Sequence, residues 1–347
     1  MPIKLSQKQI IIIGGGILIV AGLVALIYFS TRQINNSGPP VILTVWGTED
    51  PGGISALVAA YPSAKTSYVQ VDTATYREKL LAALAAGVGP DVFEIENRDL
   101  AQWRSVIAPF PTSSAQISPL QVSQLFPDVV TQDFVFRGQI YGLPLSIDTL
   151  AMFYNKDLFN TAGIATPPVT WSDFLMDIAP LRAMNAQGQL VRAAAAIGGS
   201  RASVPNAPDL ISLLMMQNGA QMTSGDLTSA TFASQTNNKG IDAFNFYIQF
   251  ANAASPNYTW NDGMGNAITS FVNGKTAIMF GYQADLAAIE AKAPFLNIGI
   301  APMLQAKGAT IAVNYPDYMG LVAAKAGKSV VTAQNLVLYL TMAELKL

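Results

Sequence analysis

The stretch from Gly138 to Phe159, GQIYGLPLSIDTLAMFYNKDLF, constrains the fold of this chain more than any other. Ile140, Leu143, Leu145 and Ile147 alternate with small or polar residues. A second apolar run, Leu150 to Tyr154, begins after only Asp148 and Thr149. Two strand-like segments with almost no turn between them suggest a chain that passes from one body to another. Asp148 stands at the passage, where a buried carboxylate needs a hydrogen-bonding or charged partner, and a cleft between two lobes would supply one. At 347 residues the chain is also long for a single core, so two lobes are the expected organisation.

Composition removes whole classes of function. The chain contains no cysteine and no histidine, which excludes disulfides, thiolate metal sites, serine–histidine hydrolases and histidine-dependent metalloenzymes. No cofactor and no metal are expected. A net charge of -2 without a basic stripe argues against a nucleic-acid partner. A glycoside hydrolase working through a pair of acids is the remaining enzyme class, but nothing places two carboxylates at a defined spacing, and the chain is expected not to be an enzyme.

Residues Ile10 to Phe29 form an uninterrupted apolar run. At about 1.5 Å per helical residue such a run spans the roughly 30 Å hydrocarbon core of a bilayer, which predicts a transmembrane anchor over 10–29. Lys4 and Lys8 precede it and Arg32 follows, so residues 1–9 are expected in the cytoplasm and the rest outside. A cleaved signal peptide is the rival reading, but its apolar core would be shorter and would end in a small-residue cleavage site, and none follows Leu26. Residues 30–40, STRQINNSGPP, have little to bury and read as a stalk.

Val41 to Trp46 is a β-rich run, followed by a glycine-containing loop and an alanine-rich helix to about Tyr61. This is the first unit of an α/β sheet, and such sheets bind ligands at the loops beyond their strands. Trp46 to Asp50, with Trp46, Thr48 and Glu49 as its candidate contacts, is therefore the first candidate wall, with core packing as the alternative role for Trp46. Tyr68–Val71 is a second strand, and Tyr76–Ala86 an amphipathic helix with Leu80, Leu81 and Leu84 on one face. The strand Asp91–Ile95 ends at Glu96, Asn97 and Arg98, which are candidate contacts or solvated loop residues. Thr170 and Asp173 predict a capping box, with Trp171 packed over the helix start. A polar loop, 198–208, offers Arg201 and Asn206, and a later aromatic loop offers Trp260. Gly274-Lys275-Thr276 lacks the earlier glycine of a phosphate-binding loop and precedes a strand, so nucleotide binding is rejected. That strand leads to Tyr282. Asn297–Pro302 is expected to be the strand returning to the first lobe, followed by Tyr318 and a final helix, Val330–Leu345.

Four strings fall in one order. They are Y-x-x-K-L-x-x-x-x-A-x-G-x-x-P-D-V from Tyr76 to Val92, G-x-x-Y-G-x-P with Y-N-K-D-L-F from Gly138 to Phe159, P-x-T-W-x-D-F from Pro168 to Phe174, and F-x-x-G-K-x-A from Phe271 to Ala277. Together they resemble the family 1 extracellular solute-binding proteins of ABC transporters, the maltose-binding-protein-like group. The resemblance implies an α/β, two-lobed periplasmic-binding-protein-like (type II) fold with a hinge and interlobe cleft. Lobe 1 would comprise 41–147 and 303–347 and lobe 2 148–302. It implies capture of a small polar solute, a sugar or oligosaccharide foremost, and delivery to permease subunits of an importer in the cell membrane. Trp46, Tyr282 and Trp260 would cover a sugar ring, while Glu49, Glu96, Arg98 and Asp148 would bond its hydroxyls, with Thr48, Asn97, Asn206 and Tyr318 beside them. Family members of this kind are often held by a lipidated cysteine, and without one the N-terminal helix would be the tether. They usually continue further at the C-terminus, so this chain looks truncated there. A membrane-tethered sensor or surface interaction protein that keeps the fold without transport is the alternative.

Overall fold

The computed structural model describes residues 40–111, 117–224, 228–234 and 238–342. The expected membrane helix and nearly all of the stalk lie outside the described residues. Among the described residues no helix is long and apolar enough to cross a membrane.

The first lobe starts with β1 (Ile42–Gly47), whose alternation buries Leu43 and Val45 completely. Asp50 accepts a hydrogen bond from the Gly52 N–H and, with Pro51 in the first turn, starts α1 (Pro51–Ala59). Then come β2 (Lys65–Gln70) and α2 (Thr73–Ala85), which Asp72 caps. The buried face of α2 carries Tyr76 and Leu80, and Leu81 is 50% exposed, so the expected three-leucine face is narrower than read. Next are β3 (Val92–Glu96), α3 (Asp128–Phe134) and β4 (Gly142–Pro144).

From β4 the chain leaves through the short β5 (Asp148–Thr149) and enters β6 (Ala151–Asn155) of a second sheet. The second lobe continues through α4 (Trp171–Leu181), β7 (Ala183–Met184), β8 (Leu190–Ala195), α5 (Ala207–Gln217) and α6 (Lys239–Ile248). It ends with β9 (Thr276–Gly281), α7 (Gln283–Lys292) and β10 (Ile298–Pro302). The Thr170–Asp173 capping box forms, and Trp171 packs edge-on against Phe174, as read. The chain returns by β11 (Pro316–Asp317) to β12 (Met319–Ala323) and α8 (Val330–Met342).

The first sheet has the order β2-β1-β3-β12-β4, with β1 parallel to β2 and β3, and β12 antiparallel to β3 and β4. The second has the order β10-β6-β9-β8-β7. Each sheet carries its own apolar core, one centred on Leu43, Phe93 and Leu321, the other on Phe153, Phe174 and Phe280. The described residues thus form two lobes.

The return differs from expectation. β10 lies antiparallel to β6 inside the second sheet and does not cross back. Met303 and Leu304 are buried in the second core, and Gln305 is bonded by backbone to Val169 and Trp171. A chain with those side chains sequestered has not left the second lobe, so the return falls at β11, later than the 302/303 boundary. There Pro316 pairs with Thr149 and Asp317 with Asp148. Outgoing and returning chains thus run as one antiparallel ribbon.

α8 closes the first core with Leu336, Val337 and Leu340. Leu336 is completely buried, and Leu336→Ala is expected to lower stability by about 3 kcal/mol through lost burial and a cavity. A urea titration followed by tryptophan fluorescence checks this, and a loss under about 1 kcal/mol would mean that the helix is not integral to the core.

Candidate functional site

The loop beyond β1, Glu94 within β3, the first turns of α1, the outgoing segment after β4 and the start of β12 enclose a cavity of about 420 Å³. Its walls are the apolar Ile54, Leu57, Leu145, Met319 and Leu321, and its charged groups are Glu49, Asp50 and Glu94. That size and that mixture suit a small solute.

Glu94 is the unexpected member. It is only 2% exposed, and its Oε2 accepts hydrogen bonds from the Thr48 N–H at 2.8 Å and the Thr48 hydroxyl at 3.3 Å. Burial pushes its carboxyl up to about 7. The Thr48 bonds oppose the shift and the neighbouring Glu49 charge adds to it. Gly47 makes this placement feasible, because a Cβ there would stand 2.5 Å from Glu94 Oε1 and 2.7 Å from the Tyr68 hydroxyl. Tyr76 fixes the backbone beneath, its hydroxyl donating to the Glu94 carbonyl at 2.8 Å and accepting from the Glu94 N–H at 2.9 Å. Tyr68 donates to the Glu49 carbonyl at 3.0 Å.

A second group of polar side chains joins the lobes. Arg98, just beyond β3, donates to Asp209 at 3.5 Å on α5 of the second lobe, to Asp317 at 2.9 Å on the returning ribbon, and to the Tyr315 hydroxyl at 3.2 Å. Glu96 accepts from the same guanidinium at 3.2 Å. Asp209 also accepts from the Tyr282 hydroxyl at 2.9 Å. Burial pushes the Asp317 carboxyl up, and Arg98 opposes that shift. Asp148 accepts from the backbone N–H groups of Gln283 and Ala284, both at 3.2 Å, at the start of α7. A carboxylate at a helix N-terminus is well placed electrostatically.

The remaining expected residues lie elsewhere. Asn97 is buried within the first lobe, donating to Asp133 of α3 at 2.9 Å, and the Tyr318 hydroxyl donates to the same carboxylate oxygen at 2.8 Å. These two tie β3 and β12 to α3. Burial pushes Asp133 up against those two hydrogen bonds. Trp260 is wholly buried in the second core, with its indole N–H on Ser203 at 3.1 Å, so it has no free face for a sugar ring. Tyr282 is 7% exposed, and its ring belongs to the same core while its hydroxyl is engaged on Asp209. Asn206 donates to the Phe280 carbonyl at 3.3 Å and so holds the end of β9. Trp46 is half-buried against the first core. Arg201 is exposed beside a separate apolar groove formed by α5 and α6.

Glu49 thus lines the cavity and Thr48 serves it through Glu94, Arg98 reaches the second lobe with Glu96 and Tyr282 bonded into the same network, and Asp148 fastens the hinge strand to the second lobe. Glu94, Asp209, Tyr315 and Asp317 were not named from sequence. For Glu94 the available signal was an acid inside the apolar strand VFEIE. Among the described residues no group of three or more acids stands close enough to hold a metal ion.

The Glu94 shift has a stability consequence with a definite sign. Because its folded-state pKa lies above the ordinary 4.5, folding binds its proton more tightly. The penalty is absent well below pH 4.5, grows as pH rises toward 7, and is constant above. Glu94→Gln, which cannot ionise, is expected to gain about 2 kcal/mol over the wild type between pH 5 and pH 8. Urea melts of both proteins at the two pH values read the difference, and a pH-independent gap would mean that Glu94 does not titrate in this range.

The family described as bacterial extracellular solute-binding protein matches residues 46–344. A binding protein of Brucella abortus (strain 2308) is 28% identical over 132 residues, which is 38% of this chain and 32% of the relative. A galactooligosaccharide-binding protein of Bacillus subtilis (strain 168) is 27% identical over 136 residues, 38% of this chain and 31% of that protein. The matched stretch therefore spans about a third of the length of these curated relatives. A sugar-binding protein of Xanthomonas citri has a similar fold, with a TM-score of 0.69 at 20% identity, covering 88% of this chain and 76% of the other. The family and these neighbours are binding proteins and not enzymes.

Proposed function

The chain belongs to the bacterial extracellular solute-binding protein family, and from that premise we propose that it is the membrane-anchored, extracytoplasmic solute-binding component of an ABC importer. Its ligand on this reading is a small polar solute, a sugar or oligosaccharide foremost, captured by closure of the two lobes about the hinge. The observation that carries the reading is two separate cores joined by the β5–β11 ribbon, with a solute-sized cavity beside the outgoing strand. The oligosaccharide named for the Bacillus subtilis relative supports the carbohydrate class. The apolar run 10–29 supports the anchor, and permease subunits are the partners to which a closed form would deliver.

Closure of this kind is a population shift. A ligand that touches both lobes favours the closed form by its differential affinity and by nothing else. The interlobe contacts of Arg98 set the starting balance, and its side chain is 42% exposed. Pairs so exposed contribute about 1 kcal/mol or less each, which leaves the balance within reach of a modest ligand.

The test uses the full chain in detergent with a panel of neutral oligosaccharides. A true ligand at a hundredfold over its Kd should add about 2.7 kcal/mol of stability and raise Tm in a concentration-dependent way. Arg98→Ala is expected to enlarge the radius of gyration of the ligand-free protein in solution scattering and to weaken that ligand. A panel without any response would count against carbohydrate capture, and an unchanged radius would remove Arg98 as a determinant of the lobe balance.

A further inference from the structure

Glu94 stands out when the charged groups of the two lobes are matched one against another. The ion pairs among the described residues are Arg77 with Asp99, and Arg98 with Glu96, Asp209 and Asp317. None of them reaches the cavity by the outgoing hinge, where Glu49, Asp50 and Glu94 stand with no lysine or arginine in the wall. Asp50 is engaged as the cap of α1, and Glu49 is exposed. Glu94 is neither. It is 98% removed from solvent and borders the cavity, and only its Oε2 receives hydrogen bonds, both from Thr48. No hydrogen bond reaches Oε1 from the described residues, and that oxygen is not one of their fully buried unpaired polar atoms, which are Asn97 Oδ1 and Thr131 Oγ1; it is open to the cavity.

Proteins bury a carboxylate at considerable cost unless it is paired. Gly47 and Tyr76 hold this one in place with some care, the first by leaving room for the carboxyl and the second by clamping the Glu94 backbone through both its N–H and its carbonyl. Among the described residues no lysine or arginine lines the cavity beside this carboxyl, which leaves its cavity side open to a positive hydrogen-bond donor. The rest of the wall indicates its kind. Ile54, Leu57, Leu145, Met319 and Leu321 would not replace the water shell of a small metal ion, but they suit the carbon frame of an organic cation.

We propose that this cavity receives the protonated amine of a small organic solute, with Glu94 as the specificity-determining carboxylate and Glu49 at the rim. The inference rests on the capture reading above and narrows it to solutes that carry an ammonium group. Two sources share that chemistry, an amino sugar and a linear polyamine. Anionic solutes are disfavoured by the same three acids.

The experiment titrates the full chain in detergent, by calorimetry at neutral pH, with three probes. These are the β-1,4-linked glucosamine disaccharide, cellobiose, which has hydroxyls where the former has amino groups, and spermidine. The amino disaccharide should bind at least about tenfold more tightly than cellobiose, the scale of one charge-assisted hydrogen bond. In Glu94→Gln the two disaccharides should come within about twofold of each other, since the amide keeps the shape and loses the charge. Cellobiose binding as tightly as the amino disaccharide overturns the cation assignment and leaves carbohydrate capture standing. An amine preference that survives unchanged in Glu94→Gln also overturns it. Binding of spermidine with neither disaccharide sustains the cation assignment and removes the carbohydrate reading. Failure of both amines to bind overturns the proposal.

Discussion

The pairing of Asp148 and Thr149 with Asp317 and Pro316 is the contact on which the rest of this structure depends. Between the two five-stranded sheets, the outgoing and returning chains are paired among the described residues by two strands of two residues each, with one further backbone bond from the Leu150 N–H to the Tyr315 carbonyl. Two residues hold too little apolar surface to form a core, and each lobe must therefore bury its own. Each does so around a five-stranded sheet. A joint that thin, flanked by rigid bodies, concentrates relative motion in a few backbone dihedrals, which is the mechanical requirement for hinge closure.

That division also explains why the polar contacts between the lobes are partly exposed ion pairs. An apolar interface would lock the lobes together, whereas the bonds from Arg98 to Asp209, Asp317 and Tyr315 are individually weak and screened by salt. Asp148 has a different duty. Its two bonds to the N-terminus of α7 fasten the hinge strand to the second lobe, so a movement of that helix is passed to the ribbon directly. A carboxylate expected from sequence at the passage between bodies is thus present there, with backbone amides as its partners.

Much of the architecture was legible because strand periodicity and helix caps are local. The run VILTVW and the Thr170–Asp173 capping box depend on near neighbours and form where their patterns place them, whereas the stretch after Gly138 is broken into two short strands, Gln139–Ile140 and Gly142–Pro144, the second buried at every position. What failed depended on partners distant in sequence. NIGIAP looks like any strand, and only its pairing with β6 assigns it to the second sheet. Trp260 and Tyr282 looked like aromatic platforms because exposure cannot be read from residue type, and both rings are packed into the second core. Glu94 was passed over because an acid among valine, phenylalanine and isoleucine reads as a strand residue, and its environment is set by Thr48, 46 positions earlier.

Glu94 and the hinge are close enough for their energetics to be linked. Leu145 and Ser146, which lead out of β4 toward β5, are walls of the same cavity, as are Met319 and Leu321 on the returning side. A solute seated against Glu94 would therefore touch both chains that flank the ribbon before it touches the second lobe. Its charge would also offset the burial penalty on the carboxylate, which is an interaction with the first lobe in whatever state the hinge adopts. Contact with Glu94 alone would set affinity and leave the lobe balance unchanged, because a ligand shifts an equilibrium only by the difference in what it gains from the two states. The closing force has to come from the part of the solute that reaches Arg98 and Asp209. Recognition and closure are in this way assigned to different ends of one ligand.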